Sequence, residues 1–402
     1  MPFLKLKKYI GIKDVGGSQQ QKFDKHPVAH IDFSNFKVVP SYLGEFKPTV
    51  TPLKSGWILD GRFVITDDGF IFGEGFYWSV SSIAYVIKNQ NERLKVSKSS
   101  ENLTIAGFKD DKGLHCDTIR KVADGELTNT IFLSGFDNLS HFMMEIAPKT
   151  LLLPILLKKF PNIKTVTVGN LVPKRWVDYC IKTTYPGTAS NYGLNTNHID
   201  SNKAIRFKNI VVISSITYKD SNQQINMSVS QAKDFSKLMC KNAISNNDKE
   251  SYILYLSRKN ASHRKTLNQK NLINIIKNIF PDLNLVIEEN IHLLTMEDQA
   301  KLIYNASLVI EEGGGSTGFV SNLIEENIPY VTIQTAQRSS DAGRLYLAGL
   351  KKYGAWVLGE PVGKLTNSPV VDNDIMVDEE NFETLLVRLS LFINKKIPMP
   401  KL

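Results

Sequence analysis

Short β-rich runs alternate with amphipathic helical runs through most of the second half of the chain. The β-rich runs are YILYLS, NLVIE, LVIEE and PYVTIQ, at residues 252–257, 284–288, 308–312 and 329–334. Strands that alternate with helices form βαβ units, so their strands lie parallel in one sheet. This half is therefore predicted to be a doubly wound α/β sheet, with helices at 267–280, after Thr295, and at 316–327, 341–352 and 379–394.

The first half shows a less regular version of the same alternation. Strands are predicted at 131–135, 164–169 and 209–214, and helices at 140–159 and 173–183. Residues 55–87 are rich in aromatic and β-branched residues with Gly and Asp-Gly, which predicts short antiparallel strands. Apolar density falls on both sides of one helix within 218–250, which marks a domain boundary. The predicted fold class is α/β with a β-rich N-terminal segment.

The length and net charge of the chain limit the classes of function that it can have. The chain has 402 residues, enough for two domains, and a net charge of +9 at pH 7. It contains neither a long run of Lys/Arg nor a nucleic-acid-binding motif, so the charge favours a phosphate-bearing ligand or an anionic membrane surface over nucleic acid. Residues 3–13 alternate apolar residues with Lys, which fits either a membrane-surface anchor or a frayed basic terminus.

Cysteine usage and hydropathy suggest a compartment. The 3 cysteines lie far apart, which argues against a disulfide framework and against a cysteine-bound metal. The N-terminus lacks the apolar core of a signal peptide, and no apolar stretch reaches the ~18 residues of a membrane span. We therefore expect a cytoplasmic protein, with at most a peripheral association with the inner membrane. The oligomeric state is left open.

A glycine loop follows the predicted strand at 308–312. Glycine lets backbone N–H groups approach a ligand closely, and a following helix adds partial positive charge. Ligands of open parallel sheets bind at the carboxyl ends of strands, where this loop lies. The residues predicted to bind phosphate are Gly313, Gly314, Gly315, Ser316 and Thr317. A tight turn with Ser316 as helix N-cap is the alternative. The loop matches neither a Walker A motif nor a dinucleotide fingerprint, which disfavours ATPase and dehydrogenase chemistry.

A basic loop follows the strand at 252–257. Arg258 and Arg264 both lie in it, and two guanidinium groups can clamp a pyrophosphate. The alternative is a solvated basic loop that ends with Asn268 as a helix cap. Because this loop and the glycine loop both follow strands of one predicted sheet, we favour diphosphate binding.

His141 and Glu145 lie four residues apart on a predicted helix that Asn138 or Ser140 can cap. Histidine is the usual general base near neutral pH, and a carboxylate on its second ring nitrogen would orient it. The alternative is an ordinary helix start with a packed His141 and a solvated Glu145.

Two acidic motifs are candidates for ligand contacts, and each has a simpler structural alternative. Asp372 and Asp374 form an Asp-x-Asp pair, which can hold a divalent ion on a donor diphosphate. Their Pro/Asn/Asp-rich surroundings favour a linker turn, so no metal site is predicted. The second motif is the acidic pair Glu311 and Glu312 at a strand end. One of the pair, with Glu312 as the candidate, is expected to accept hydrogen bonds from ribose hydroxyls, and an unpaired acidic turn is the alternative.

Together these elements resemble glycosyltransferase family 61 over roughly residues 130–335. The family's Asn-x-x-His-x-x-x-Asp/Glu element is matched by Asn138, His141 and Glu145. The family's second half has a Ser-Arg pair, a second Arg and an Asn that opens a helix, which are matched by Ser257, Arg258, Arg264 and Asn268. A Glu-x-Gln element and an Ala before a strand follow, matched by Glu297, Gln299 and Ala306. The last element is a glycine loop followed by Asn, matched by Gly314, Gly315 and Asn322. The sequence departs from the family at the loop histidine, where the EEGGG segment has glycine.

The resemblance implies a GT-B-like architecture, in which two Rossmann-like domains face a cleft. The acceptor-side domain is expected at 1–235, the nucleotide-sugar-binding domain at 236–375, and a C-terminal helix that packs back on the first domain at 376–402. The implied activity is metal-independent, inverting transfer of a sugar from a nucleotide sugar, expected to be UDP-linked, to a glycan hydroxyl. The implied pathway is bacterial capsule or lipopolysaccharide biosynthesis, with no cofactor beyond the donor.

The resemblance also suggests roles for the residues. His141 would be the base, Glu145 its orienting partner or a reserve base, and Asn138 would lie on the acceptor side. Arg258, Arg264 and the glycine loop would bind the donor diphosphate. The nucleotide and ribose would be contacted by Glu312, Glu297 and Asn322.

Two alternatives stay open. A polysaccharide pyruvyl or phosphosugar transferase on a similar fold would use the same basic cleft without a nucleotide pocket. A non-catalytic scaffold of a glycan-assembly complex would keep the fold, and the missing loop histidine leaves that interpretation open.

Overall fold

The structure is a computed structural model, and a defined part of the chain is described. The described residues are 4–5, 24–32, 37–45, 48, 50–59, 63–66, 71–72, 107–110, 113–116, 127–134, 138–169, 172–184, 194–199, 204–219, 225–244, 251–335, 341–363 and 373–394. The chain divides into two units, one made of residues 1–25 and 44–235 and the other of residues 26–43 and 236–402.

A seven-stranded mixed sheet forms the centre of the first unit. Its strand order is Asn195–Ile199, Thr165–Gly169, Leu127–Phe132, Ala204–Ile213, Val50–Leu59, Phe63–Thr66 and Ile71–Phe72. The first four strands are parallel and the last three are added as antiparallel neighbours. The parallel part follows the alternation predicted from the sequence, and the antiparallel part follows the aromatic, Gly-punctuated segment.

Two smaller sheets are also described. Strands Leu4–Lys5, Gly113–Cys116 and Gly107–Asp110 form a three-stranded sheet. Strand Thr217–Lys219 pairs antiparallel with Ile225–Met227, which in turn pairs with Gly44 and Glu45. The remaining described strands are Asp24–Asp32 and Lys37–Glu45.

The helical segment at 139–159 changes its hydrogen-bonding pattern along its length. It begins as an α-turn at Leu139–His141, continues as a π-helix at Phe142–Ile146 and a 3₁₀ helix at Ala147–Leu152, and ends as an α-helix at Leu153–Lys159. Proline lacks an N–H and its ring clashes with the carbonyl four residues earlier. Pro148 therefore explains why the backbone changes register beside it, rather than simply stopping.

Two further helices belong to this part of the chain. Helix Lys174–Thr184 buries Trp176, Val177 and Cys180. Helix Val229–Ala243 contains the division between the two units. None of the helices described here combines the length and apolar character needed to cross a lipid bilayer.

The second unit is built on a six-stranded sheet, whose elements are labelled here in chain order. The strands are β1 Tyr252–Leu256, β2 Asn284–Glu288, β3 Leu308–Glu312, β4 Tyr330–Thr335, β5 Gly354–Val362 and β6 Asp374–Val377. The spatial order is β2-β1-β3-β4-β5-β6. All neighbours are parallel except β5 and β6, which are antiparallel.

Helices connect these strands. They are α1 Gln269–Ile279, α2 Met296–Tyr304, α3 Thr317–Leu323, α4 Asp341–Gly349 and α5 Glu379–Ile393, with a short 3₁₀ turn at Ile291–Leu293. Helices α1 and α5 pack on one face, where Leu272, Ile276 and Phe382 join the core. Every residue of β1 and β3 is buried, as expected for central parallel strands covered on both faces.

Most predicted elements are confirmed. The strands at 284–288 and 308–312 have the predicted bounds, and Thr295 caps α2 by accepting a hydrogen bond from the Asp298 backbone N–H. The predicted helix at 316–327 is shorter and ends at Leu323. The α/β class with two parallel-rich sheets is confirmed. The GT-B arrangement and the predicted domain bounds stay predictions.

Strands β5 and β6 are missing from the sequence prediction. Strand β5 contains Gly354, Gly359 and Pro361, which obscure its pattern, and β6 has only 4 residues. The linker-turn interpretation of Asp374 is wrong, because Asp374 begins β6. Asp372 and residues 3, 6–13 lie outside the described residues.

The pairing of β5 with β6 yields a stability prediction. A Cβ added at Gly359 would lie 2.2 Å from Ile375 Cγ2 and 2.9 Å from the Met376 carbonyl oxygen on β6. Gly359→Ala is therefore expected to lower the free energy of unfolding by about 1–3 kcal/mol, as overpacking does. Urea unfolding measures this, with the exposed neighbouring substitution Glu360→Ala as control. Equal stability of the two variants would contradict the close β5–β6 contact.

Candidate functional site

The strand order of the second unit creates a topological switch point. From β1 the chain passes to β2 on one side, and then returns to place β3 on the other side of β1. Open α/β sheets bind ligands in the crevice outside the carboxyl ends of the strands at such a point. The basic loop that contains Arg258 and Arg264, called the arginine loop from here on, follows β1. The glycine loop, residues 313–317, follows β3. The fold therefore brings both sequence-predicted phosphate loops to one place.

Arg258 contacts the glycine loop. A Cβ built on Gly314 would lie only 2.8 Å from Arg258 Nη1, so the guanidinium occupies the space a side chain would need. Arg258 Nη2 also donates to the His263 carbonyl oxygen at 3.2 Å, and the Arg258 backbone N–H donates to Glu312 Oε2 at 2.8 Å. A side chain at position 314 would therefore displace the Arg258 guanidinium, whereas the backbone conformation of Gly314 does not itself require glycine.

Gly313 stands at the position of the family's loop histidine, and its surroundings exclude a side chain. A Cβ there would lie 2.7 Å from the Ile333 carbonyl oxygen of β4. The Gly313 backbone N–H donates to that same oxygen at 2.6 Å. A histidine at this position would require β4 to move, so the departure from the family pattern is matched by the local packing. Gly315 lies half-buried in the same loop.

Glu311 organises the far end of the glycine loop. The hydroxyl groups of Ser316 and Tyr330 donate to its carboxylate, and Thr317 Oγ1 donates to Glu311 Oε2 at 3.3 Å. Burial raises the pKa of Glu311, and these hydrogen bonds with the charge of Arg258 oppose that rise. Ser316 occupies the N-cap position of α3 but makes no side-chain cap bond, so its hydroxyl serves the carboxylate instead.

Glu312 holds the start of the arginine loop. Its Oε1 accepts from the Tyr255 hydroxyl at 2.7 Å, and its Oε2 accepts from the Arg258 backbone N–H. The residue is only 2% exposed, and this burial raises its pKa. The structure gives Glu312 contacts within the protein, and its predicted contact with ribose stays a prediction.

The arginine loop is fixed to strand β6. The Lys265 backbone N–H donates to Asp374 Oδ1 at 2.8 Å, and the Leu267 N–H donates to the Ile375 carbonyl at 2.9 Å. Between these anchors, Arg264 has a φ of +60°. This left-handed conformation costs roughly 1–2 kcal/mol for a residue other than glycine. Such strain is common at ligand-binding loops, where the surrounding structure holds it in place.

Asn268 anchors the other end of that loop. Its side-chain amide donates to the Val377 carbonyl at 2.8 Å and to Glu379 Oε1 at 2.9 Å, and its Oδ1 accepts from the Val377 N–H at 3.2 Å. Asn268 therefore occupies the N-cap position of α1, as the helix-cap interpretation expects, but its side chain makes no cap bond to that helix. Hydrogen bonds from Asn268 lower the pKa of Glu379.

Two predicted nucleotide-contacting residues lie in helices. Glu297 is half-buried in the first turn of α2. Asn322 is fully buried in α3, where its Nδ2 donates to the Gly318 carbonyl at 2.8 Å and its Oδ1 accepts from the Tyr346 hydroxyl at 3.1 Å. The geometry gives the Asn322 amide a structural role, and the predicted ligand contacts of both residues stay predictions.

A buried lysine supports the end of α3 and was missed from the sequence. Lys352 Nζ donates to Ser236 Oγ at 2.6 Å and to the Ser321 carbonyl oxygen at 2.8 Å. Burial lowers the pKa of Lys352 to about 8. A cation near a helix C-terminus stabilises the last carbonyl groups, so this lysine steadies the helix that follows the glycine loop. Its position between two short elements gave no sequence signal.

The predicted histidine–carboxylate pair forms in the first unit. Asn138 is the N-cap, and its Oδ1 accepts from the Ser140 N–H at 2.9 Å and the His141 N–H at 3.3 Å. His141 Nδ1 lies 2.5 Å from Glu145 Oε1. The His141 side chain is 30% exposed and that of Glu145 only 3%. The simpler interpretation, with a solvated Glu145, is therefore wrong.

This pair has the geometry of a general base. A neutral imidazole whose Nδ1–H donates to a carboxylate presents Nε2 as its proton acceptor. Burial raises the pKa of Glu145, and the charges of His141 and Lys149 oppose that rise. Lys149, one further helical turn along, was also missed from the sequence, although it continues the four-residue spacing.

Among the residues that the structure describes, no group of three or more His, Cys, Asp and Glu side chains could hold a metal ion. The prediction of metal-independent chemistry stays a prediction.

Comparisons with known proteins support the family. Residues 139–317 match the model of the family described as Glycosyltransferase 61. Among proteins with curated functions, none matches this chain. Among solved structures, a diflavin flavoprotein A3 from Nostoc sp. matches over 37% of this chain and 96% of its own, with 8% identity and a TM-score of 0.26. At that TM-score the likeness supports no inference, whereas the family match confirms the resemblance predicted from the motifs.

The carboxylate beneath the glycine loop yields a pH-dependent prediction. Burial raises the pKa of Glu311 in the folded state above its value in the unfolded state. Between these two pKa values the unfolded state binds fewer protons than the folded state. The free energy of unfolding therefore falls as the pH rises through that interval. Tyr330→Phe removes a donor to the carboxylate and raises the folded pKa further. We expect about 1–3 kcal/mol lower unfolding free energy near neutral pH, as for an unsatisfied buried acceptor.

Urea unfolding over a pH series measures this effect. The loss in Tyr330→Phe should shrink at acid pH, where Glu311 is protonated in both the parent and the variant. A loss that is equal at acid and neutral pH would show that the Tyr330 hydroxyl does not support an ionised carboxylate.

Proposed function

We propose that this chain, which matches the model of glycosyltransferase family 61 over residues 139–317, is an inverting transferase that uses a nucleotide-sugar donor. The family indicates glycosyltransferase activity. The observation that carries the finer proposal is the meeting of Arg258 with the glycine loop at the switch point of the second sheet.

The donor diphosphate is assigned to this switch point. A guanidinium offers planar, forked donors that match phosphate oxygens, and Arg264 on the same anchored loop supplies a second. Gly314 brings the backbone close to that charge, with Gly315 next to it in the loop, and Ser316 and Thr317 are held in place through Glu311. Donors that are already positioned stabilise charge as it develops on a leaving group, without reorganisation during the reaction.

The base is assigned to His141. The hydroxyl oxygen of the acceptor attacks the anomeric carbon, and the bond from that carbon to the donor phosphate oxygen breaks. The hydroxyl proton passes to His141 Nε2, and the negative charge stays on the departing nucleoside diphosphate. A single displacement of this kind inverts the anomeric centre.

Further details belong to the same proposal. A UDP-linked donor, a glycan acceptor, metal-independent chemistry and a role in bacterial capsule or lipopolysaccharide synthesis follow from the family resemblance. So does the GT-B arrangement, in which Asn138 would lie on the acceptor side and Glu297, Glu312 and Asn322 near the nucleotide. A cytoplasmic location with peripheral membrane association completes it.

The role of Arg258 is tested by Arg258→Ala. Removal of one preorganised donor to a developing charge costs about 10²–10³ in rate, so nucleotide release from the sugar donor should fall by that factor. The matched control is Lys259→Ala, which removes the adjacent cation, whose side chain is 62% exposed and paired with Glu289 at 3.1 Å. Calorimetric titration with UDP should show weaker binding only in the Arg258 variant. If both variants release nucleotide equally fast, the diphosphate site lies elsewhere.

The role of His141 is tested by His141→Gln. Loss of a general base typically reduces turnover by about 10²–10⁴, and donor binding should be unchanged because the donor site is assigned to other residues. Measurements of kcat and of UDP affinity separate the two effects. The control is His292→Gln, at an exposed histidine of the second unit. A fully active His141→Gln variant would exclude this histidine as the base.

A further inference from the structure

Three ionisable residues follow one another at four-residue intervals in the 139–159 helical segment. His141, Glu145 and Lys149 run from the surface into the interior, with side-chain exposure of 30% for His141 and 3% for Glu145. Lys149 is fully buried. Lysine is almost never fully buried unless it is paired, so its presence here needs a physical reason.

Hydrogen bonds fix the position of Lys149 and of the backbone next to it. Its Nζ donates to the Leu133 carbonyl oxygen at 3.0 Å, directly after strand Leu127–Phe132. Gln231 Nε2 donates to the neighbouring Pro148 carbonyl at 2.8 Å and fixes the 3₁₀ turn from outside. The ammonium is therefore held between a strand end and the helical segment. A single neutral carbonyl satisfies only one of its three N–H groups.

The charge of Lys149 is coupled to that of Glu145. Burial lowers the pKa of Lys149 to about 7, and the Glu145 carboxylate opposes this fall. Burial likewise raises the pKa of Glu145, which His141 and Lys149 oppose. Cys180 lies behind the segment against Met143, and burial raises the pKa of its thiol, so it adds no charge. Each buried charge is thus supported by the other.

The ionisation of Glu145 decides which nitrogen of His141 can act. A carboxylate at Nδ1 accepts a hydrogen bond, so the ring carries its proton there and presents Nε2 as acceptor. A protonated carboxyl group would instead donate to Nδ1. The neutral ring would then carry its proton on Nε2 and could not accept another there.

We propose that Lys149 is a positioning residue, whose buried ammonium keeps Glu145 ionised and thereby holds His141 in the tautomer that accepts a proton at Nε2. This inference rests on the proposed role of His141 as the base. It adds a residue that touches no substrate yet sets the pH range in which the base works.

The first test is the pH profile of Lys149→Met, which keeps length and removes charge. Loss of a nearby cation lets the His141–Glu145 pair take up a proton at higher pH, so the acidic limb of kcat/KM should move up by about one pH unit. That shift corresponds to about tenfold lower activity on the acidic side. At alkaline pH the variant should approach the parent, because Glu145 is then ionised in both. Lys149→Arg, which keeps the charge, should retain the parental profile.

The second test does not depend on activity. Nitrogen-15 NMR of histidine-labelled protein distinguishes the two ring tautomers, and the His141→Gln variant assigns the signal. Near neutral pH the parent should show the Nδ1–H tautomer at His141, and Lys149→Met should shift the population to Nε2–H. Lys158→Met, an exposed substitution on the same segment, should change nothing. Thermal unfolding of each variant confirms that the compared proteins are folded.

The outcomes separate the two proposals. If no nucleotide sugar is turned over but the tautomer changes with Lys149→Met, the coupling stands and the proposed function fails. If the enzyme is active, and Lys149→Met changes neither the acidic limb nor the tautomer, the inference is overturned. If Lys149→Met does not fold, the tautomer of His141 in Lys149→Arg is the test. That variant keeps the positive charge, so the Nε2–H tautomer in it would overturn the inference.

Discussion

Two adjacent carboxylates at the end of β3, Glu311 and Glu312, hold the loops of the switch point in place. Both are buried, and a buried carboxylate is stable only where hydrogen-bond donors and positive charge surround it. The donors come from both sides: Ser316 and Thr317 of the glycine loop serve Glu311, and the Arg258 backbone serves Glu312. The two loops are therefore tied to one strand end, and the Arg258 guanidinium is left to lie against Gly314.

This arrangement affects electrostatics as well as geometry. Arginine stays charged at any physiological pH, so the half-buried Arg258 beside the glycine loop needs a counter-charge. The Glu311 carboxylate supplies that counter-charge. The charge of Arg258 in turn opposes the rise in the pKa of Glu311 that burial causes. An anionic ligand that approached from the open side would meet a guanidinium already held in position. The Glu311 carboxylate weakens the attraction between Arg258 and an anionic ligand. It also holds the guanidinium in place beforehand, so the entropic cost of ordering Arg258 does not arise when the ligand binds.

The sequence predicts the edge of the second sheet well, because parallel strands and their loops follow a local alternation. The meeting of the arginine and glycine loops follows from the order of only two strands, β1 and β3. What sequence reasoning misses is the support from distant residues. Strand β6 anchors Lys265 through Asp374, and Asn268 bonds to Val377, more than 100 residues away in sequence. Such contacts leave no periodic signal, and Asp374 in a polar stretch resembles a linker.

The same limit explains the missed lysines, and it shows a device common to both units. Lys149 and Lys352 are each buried and each donates to a carbonyl oxygen at the end of a secondary-structure element. On the sequence, each resembles an ordinary surface lysine. In both units a half-exposed or loop residue assigned to chemistry, His141 or Arg258, is held by a buried carboxylate, Glu145 or Glu312. A buried carboxylate is rigid because its donors surround it, and it can orient a reactive group more sharply than a solvated one can. That rigidity depends on the charge being retained. At Glu145 the charges of His141 and Lys149 oppose the rise in pKa that burial causes, so the buried lysine belongs to this arrangement as much as the histidine does.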